Sequence, residues 1–249
     1  MGLLELERRL LALVLDWLTR FLKAALDAVL AVVRQFGIQP NPADVFTASP
    51  IWSEGVDRIV GELEIVAGEA RDREWRLIQG VADDIPGHVS GDTFVMSALA
   101  TSRNLLVRIP DEVYQVVFAE ITDGVNDGES VPELTARIER VLSVTGSERW
   151  PNRARVIAIT EANRASNTGA FSAAMQAQNL EGEALLKEWV ATNDNRVRPT
   201  HENADRQRVP LMQPFVVGNS LLMYPGDPAG MAEEVVGCRC SMTIHDSEN

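Results

Sequence analysis

Trp189-Val190-Ala191-Thr192-Asn193-Asp194-Asn195-Arg196-Val197-Arg198-Pro199-Thr200-His201 opens a stretch that runs on through Phe215-Val216-Val217 and Met223-Tyr224-Pro225-Gly226-Asp227-Pro228. It closes on Cys238-Arg239-Cys240. Both cysteines of the chain and one of its three histidines lie here. Short apolar runs between turn residues predict a strand at Leu185 to Val190, a hairpin from Phe215 to Tyr224 around Gly218-Asn219-Ser220, and a last strand from Cys238 to Ile244. Everything before Gly182 reads with helical spacing. The expected fold class is therefore α+β: a mostly helical N-terminal part, then a small C-terminal unit with a short antiparallel sheet packed on helices.

On a strand, residues two apart share a face, so Cys238 and Cys240 would present two sulfurs together. Such a pair chelates a soft metal, with His201 as third ligand and Asp194 or water as fourth; zinc suits that donor set. His245 falls on the opposite face. The alternative is two small buried thiols packing the sheet, with His201 hydrogen-bonded to a turn. A disulfide between residues i and i+2 would be strained, so both cysteines read as thiols or thiolates. That fits synthesis in a reducing cytoplasm. Arg196 and Arg198 share a face and are placed to clamp Asp194, Glu161 or Glu188, tying the preceding helix to the sheet. Tyr224-Pro225-Gly226-Asp227-Pro228 is a turn preset by its prolines and glycine; it either shapes the loop before Met231 to Val236 or, if exposed, offers a partner a place to dock.

Upstream, Leu3 to Phe36 is the strongest helix. Asp16, Arg20, Lys23, Asp27 and Arg34 mark one narrow polar stripe, and apolar residues fill the rest of the circumference. So wide an apolar face has to be covered. Other subunits or a partner protein are the favoured cover, giving multiple copies joined through this helix. Packing within the chain's own bundle is the alternative, and lying on a membrane the third. Gly37 to Pro42 ends the helix, and Ser49-Pro50 caps the next, which runs to Ile78. Further helices are predicted from Thr93 to Val107 and Pro110 to Ile121. Asp123 to Glu129 is read as a turn. Ser130-Val131-Pro132-Glu133 is a capping box opening another helix, and Asn152 to Gln178 is a last one.

The formal net charge of −13 excludes a general nucleic-acid-binding surface, which needs clustered Lys and Arg. Arg196, Arg198, Arg206 and Arg208 could form a local basic patch, but a loop whose arginines pair with nearby acids is the simpler reading. No secretory leader and no run of eighteen uncharged apolar residues is evident. A Gly-rich phosphate loop and a Gly-x-Ser-x-Gly elbow are both missing, and no residue is assigned a catalytic role.

The motifs from Val113 to Ile244 fall in a fixed order. Gly124, Gly128 and Ser130 precede Glu133-Leu134. Arg153-Ala154, Ile157-Ala158 and Thr160-Glu161 follow, then Trp189, Asp194, Arg196, Arg198 and His201, then Phe215, Tyr224 to Pro228, and Cys238-Arg239-Cys240. In this order they resemble the minor head proteins of tailed bacteriophages, the Mu F-like head morphogenesis family. Two positions depart from the family pattern: Ile159 stands where an arginine often precedes Thr-Glu, and Ala204-Asp205 where a glycine often follows the histidine. The resemblance implies a minor capsid protein of the virion, acting in head assembly or in DNA packaging or ejection near the portal vertex. Its implied partners are the portal protein, capsid or scaffold proteins and packaged DNA. The alternative is a metal-dependent enzyme or toxin-like effector carried in the head. The expected division is a long helix at 1–36, a helical region at 43–110 and the family domain at 111–249.

Overall fold

The computed structural model of the protein describes residues 3–36, 50–83, 85–143 and 149–246. In chain order it has α1 (Leu3–Phe36), α2 (Pro50–Gln79), α3 (Thr93–Leu106), α4 (Ile109–Asn126), α5 (Val131–Leu142) and α6 (Arg149–Glu181). There follow β1 (Leu185–Val190), α7 (Pro199–Ala204), β2 (Arg208–Pro210), β3 (Phe215–Val217), β4 (Ser220–Leu222), α8 (Ala232–Val235) and β5 (Ser241–Asp246). The α+β expectation holds. The helix end expected at Gly37 to Pro42 and the cap at Ser49 lie outside the described residues. Among the described residues, no helix is long and apolar enough to cross a membrane.

The chain parts into two compact units, each gathered from separate stretches: Leu11–Ile59 with Arg103–Arg155, and Met1–Leu10 with Val60–Ser102 and Val156–Asn249. Among its described residues the first has helices and short turns and no strand. Val14, Trp17, Leu18, Phe21, Leu22 and Ala25 of α1 are at most 4% exposed. The indole of Trp17 lies against Gly55 of α2, where any Cβ would overlap the ring. From Val14 to Ala25 the apolar face of α1 is therefore covered within the chain, as the bundle alternative expects rather than the favoured cover by other subunits. Removing residues 1–36 would take a core with them. The same unit corrects the turn at Asp123 to Glu129. Helix α4 runs on through Gly124, where the absent side chain leaves room for Leu134 of α5. The reversal is confined to Asp127-Gly128, with Gly128 at φ +74. The capping box is present: Glu133 accepts from the Ser130 N–H at 2.7 Å and from its hydroxyl at 2.6 Å.

The second unit is built around α6. Ala158, Ala162, Ala165, Ala170, Ala173, Ala174 and Ala177 are all buried on it, and small side chains let neighbours approach on every side. At Gly169 the approach is backbone to backbone, with the Ala67 carbonyl and the Arg71 N–H of α2 where a Cβ would be. The sheet has order β2-β1-β5, all antiparallel, with Leu186 opposite Pro210 and Val190 opposite Ser241. A separate hairpin pairs Phe215 with Leu222 and Val217 with Ser220. It turns at Gly218, whose φ of +56 favours glycine. Phe171, Trp189, Phe215, Leu222 and Tyr224 form the core between α6 and these strands.

Alternation on β1 buries Leu185, Lys187 and Trp189 on one face, so a lysine sits in the core with no exposed surface. Its Nζ donates to the Met223 carbonyl at 2.6 Å and stands 4.8 and 4.9 Å from the centroids of Phe171 and Phe215. Burial pushes the Lys187 ammonium down to about 8, with Asp227 pulling the other way. Unfolded, the group titrates near 10.5. Between those values the unfolded chain holds a proton the folded chain has released, so stability rises with pH across that window. The rise attributable to Lys187 is on the order of 3 kcal/mol. Urea denaturation at pH 8 and pH 10 should show it in the native sequence, and Lys187→Met should flatten it.

Tyr224 to Asp227 are buried, which favours the loop-shaping role over a docking turn. The physical reason is the turn's own saturation. Asp227 accepts from the N–H groups of Met223 at 2.8 Å and Ala229 at 2.9 Å, and the Gly226 carbonyl accepts from Arg164 Nε at 3.0 Å. Paired in this way, the segment can lie under the core's edge without losing hydrogen bonds to water.

Candidate functional site

Three pieces of chain meet at His201. Pro199 presets the first turn of α7 behind an extended Arg198, and His201 then points inward at 2% exposure. Its Nδ1 lies 3.3 Å from Cys240 Sγ and 3.8 Å from Cys238 Sγ. On the other side of the ring, Nε2 lies 3.1 Å from Glu234 Oε2 of α8. That oxygen also accepts from Thr200 Oγ1 at 2.8 Å. An ionised carboxylate only accepts, so Nε2 carries the hydrogen and Nδ1 turns its lone pair toward the sulfurs. Trp189 of β1 meets the imidazole edge-on, with centroids 5.6 Å apart.

Cys238 and Cys240 precede β5 rather than lie on it, because β1 ends opposite Ser241 and offers no partner to residues 238–240. What brings the sulfurs together is a pinned loop. The Gly237 N–H donates to Thr160 Oγ1 at 2.8 Å, and Asn167 Nδ2 to the Cys240 carbonyl at 3.1 Å. Thr192 Oγ1 donates to the Arg239 carbonyl at 2.7 Å, and the Arg198 guanidinium to the Val236 carbonyl. Within the buried pair the Cys238 thiol donates to Cys240, which together with burial pushes Cys238 up. The same hydrogen bond draws Cys240 below the ordinary thiol range, against its own burial. The result is one thiolate-prone sulfur, one thiol and one oriented imidazole, all in contact.

Asp194, the expected fourth ligand, is engaged elsewhere. Arg239 grips it through Nη1 at 2.5 Å and Nη2 at 2.9 Å, which holds its carboxyl well below the usual carboxylate range. Among the described residues, His201, Cys238 and Cys240 are the one group of three whose candidate ligand atoms all lie within 4.8 Å of one another. Beside them opens a cavity of about 450 Å³ lined also by Glu7, Thr192, Arg196, Arg198 and Arg239. Arg196 pairs with Asp194 at 3.3 Å, whereas Glu161 is paired by Arg164 and Glu188 by Arg208. Arg206 lies 3.8 Å from Asp205. Three of the four clustered arginines therefore meet an acid, which fits the paired loop better than a nucleic-acid patch.

The polar residues that dock α6 onto the following segments are Thr160, Arg164 and Asn167, not Arg196 or Arg198. Arg164 is 2% exposed and also donates to both Glu161 oxygens at 2.8 Å. Their spacing of three and four residues along an alanine-rich helix was the available signal, since polar groups on one stripe of a buried helix need partners. Glu234 carried no such signal; nothing in Glu233-Glu234 marks which of the two turns inward.

The family described as phage Mu protein F like protein matches residues 115–243, more than half of the chain. A curated relative, the NAD(+)--arginine ADP-ribosyltransferase EFV of Enterococcus faecalis (strain ATCC 700802 / V583), is 30% identical over 136 residues. That alignment covers 55% of this chain and 26% of the relative, so the chain spans about a quarter of that protein's length. No solved structure matches significantly. With the family's stretch containing β1 to β4, His201 and both cysteines, the chain belongs to the phage Mu protein F-like family and is a phage head-related protein.

Proposed function

We propose that this protein is a minor structural component of the phage head, working in head assembly and in DNA packaging or ejection near the portal vertex. Its partners are then the portal protein and capsid or scaffold proteins, with packaged DNA as a later contact. The observation that carries this reading is the family match across residues 115–243. The net charge of −13 agrees with a protein that docks on other proteins and meets DNA only locally. The test is an asymmetric cryo-EM reconstruction of heads, paired with mass spectrometry of purified particles. A density for this fold at one vertex, at few copies per head and lost with the gene, is the expected result. Heads of normal yield and normal DNA content from a gene deletion would overturn it.

A second reading has the similarity to the larger transferase in its favour: an enzyme or effector carried in the head. We read the shared stretch as a module common to both proteins rather than as the transferase's catalytic part, because it amounts to 26% of that protein. Incubation with NAD⁺ and agmatine is expected to release no nicotinamide above the buffer rate. Turnover abolished by a single point substitution would favour the effector.

A further inference from the structure

We propose that His201 Nδ1, Cys238 Sγ and Cys240 Sγ bind a zinc ion, with water from the adjoining cavity as the fourth ligand. Four lines of geometry carry this. The first is spacing. A tetrahedral zinc with Zn–S of about 2.3 Å and Zn–N of about 2.0–2.1 Å holds its donor atoms roughly 3.5–3.8 Å apart. The nitrogen–sulfur separations here, 3.3 and 3.8 Å, bracket that range, so an ion enters by small side-chain adjustments.

The second is the tautomer. Metal-ligating histidines hand the other ring N–H to a carboxylate or carbonyl, which orients the ring and raises its basicity. Glu234 does this at Nε2, itself held by Thr200. The third is preorganisation: four hydrogen bonds pin residues 236–240, so the loop bearing the sulfurs needs no large rearrangement to bind. The fourth is access. The three donors sit on the wall of the 450 Å³ cavity, which supplies an entry path and room for a coordinated water. Asp194 is excluded as fourth ligand by its two bonds to Arg239. The donor set of two sulfurs and one imidazole selects zinc over magnesium or calcium, which take oxygen.

The ion would tie α7 to the segment between α8 and β5, two pieces joined otherwise by single hydrogen bonds. The test uses the full chain purified under reducing conditions without chelator. Metal analysis is expected to find close to one zinc per chain. Removing it should lower Tm by about 5–10 °C at saturating metal, the shift that a ligand held at a hundred times its Kd supplies. Cobalt(II) added to the metal-free protein should give sulfur-to-cobalt charge transfer in the near ultraviolet and intense tetrahedral bands in the visible. Both signals should vanish in Cys240→Ser, and Glu234→Gln should weaken zinc binding by about 10–100-fold. Less than a tenth of an equivalent of zinc, with no cobalt spectrum from the fully reduced native sequence, overturns the proposal without relying on any variant. A cobalt spectrum that persists in the Cys238→Ser, Cys240→Ser double variant overturns the assigned ligands.

Discussion

Gly169→Ala is expected to destabilise the protein by about 2–4 kcal/mol, against the direction that helix propensity alone gives. In an exposed helix interior, alanine is better than glycine by about 1 kcal/mol. At position 169 the added methyl would overlap the Ala67 carbonyl oxygen and stand 3.0 Å from the Arg71 nitrogen. Those are backbone atoms, so relief means shifting α2 itself. Overpacking of this kind costs about 1–3 kcal/mol and sometimes more. The shift would also reach Arg71, whose Nε pairs with Asp92 at 3.1 Å and whose Nη1 donates to the Gly87 carbonyl at 3.0 Å. Gly61→Ala is the control. It lies on α2 with nothing within 4 Å of its missing side chain, and should gain about 0.5–1 kcal/mol. Urea midpoints of the two variants on opposite sides of the native value would establish the close contact; two stabilised variants would dismiss it.

Trp189→Ala should cost about 3–5 kcal/mol, as for other fully buried aromatics. The indole is entirely buried and meets both Phe215, at 5.3 Å between centroids, and His201 edge-on. Its Nε1 has no hydrogen-bond partner among the described residues. Trp189→Phe gives up no such bond and should lose less than half as much. If the two substitutions cost the same, the loss lies in what only the indole supplies, its edge contacts, and the missing volume contributes little. Thermal melts with a near-ultraviolet probe of tertiary packing would decide between these outcomes.

Where the sequence carried strong periodicity, the fold was legible. The apolar circumference of α1, the capping box at Ser130 and the alternation of Leu185 to Val190 each led to the element observed. The misreadings share one cause: local pattern does not report which partner arrives. The face of α1 looked too wide to cover because the strictly local pattern is silent about the helices that pack on it. Gly124 read as a turn because a glycine tolerated for close packing with Leu134 looks the same as one needed for φ above zero. The site was half legible. Cys-x-Cys and His201 stood out by residue type, and the structure brings them together, although through a pinned loop instead of a shared strand face. Asp194 stood out equally but is held by Arg239, a pairing across 45 residues that no spacing rule announces. Lys187 was hidden by its own chemistry, since a charged residue at a core position of a strand reads as an edge or solvent-facing one.

Gly218 has a reach well beyond its hairpin. Any side chain at that position, besides fighting a φ of +56, would press on the Glu234 carboxylate and the Thr200 methyl. Glu234 is the group that orients His201, so drift at the tip of β3–β4 is transmitted to the thiol-imidazole cluster on the far side of that carboxylate. Neighbouring Asn219, exposed and free of such a constraint, can be exchanged at little cost. In a lineage under pressure to vary its surface, the hairpin has one position open to change beside one that is closed.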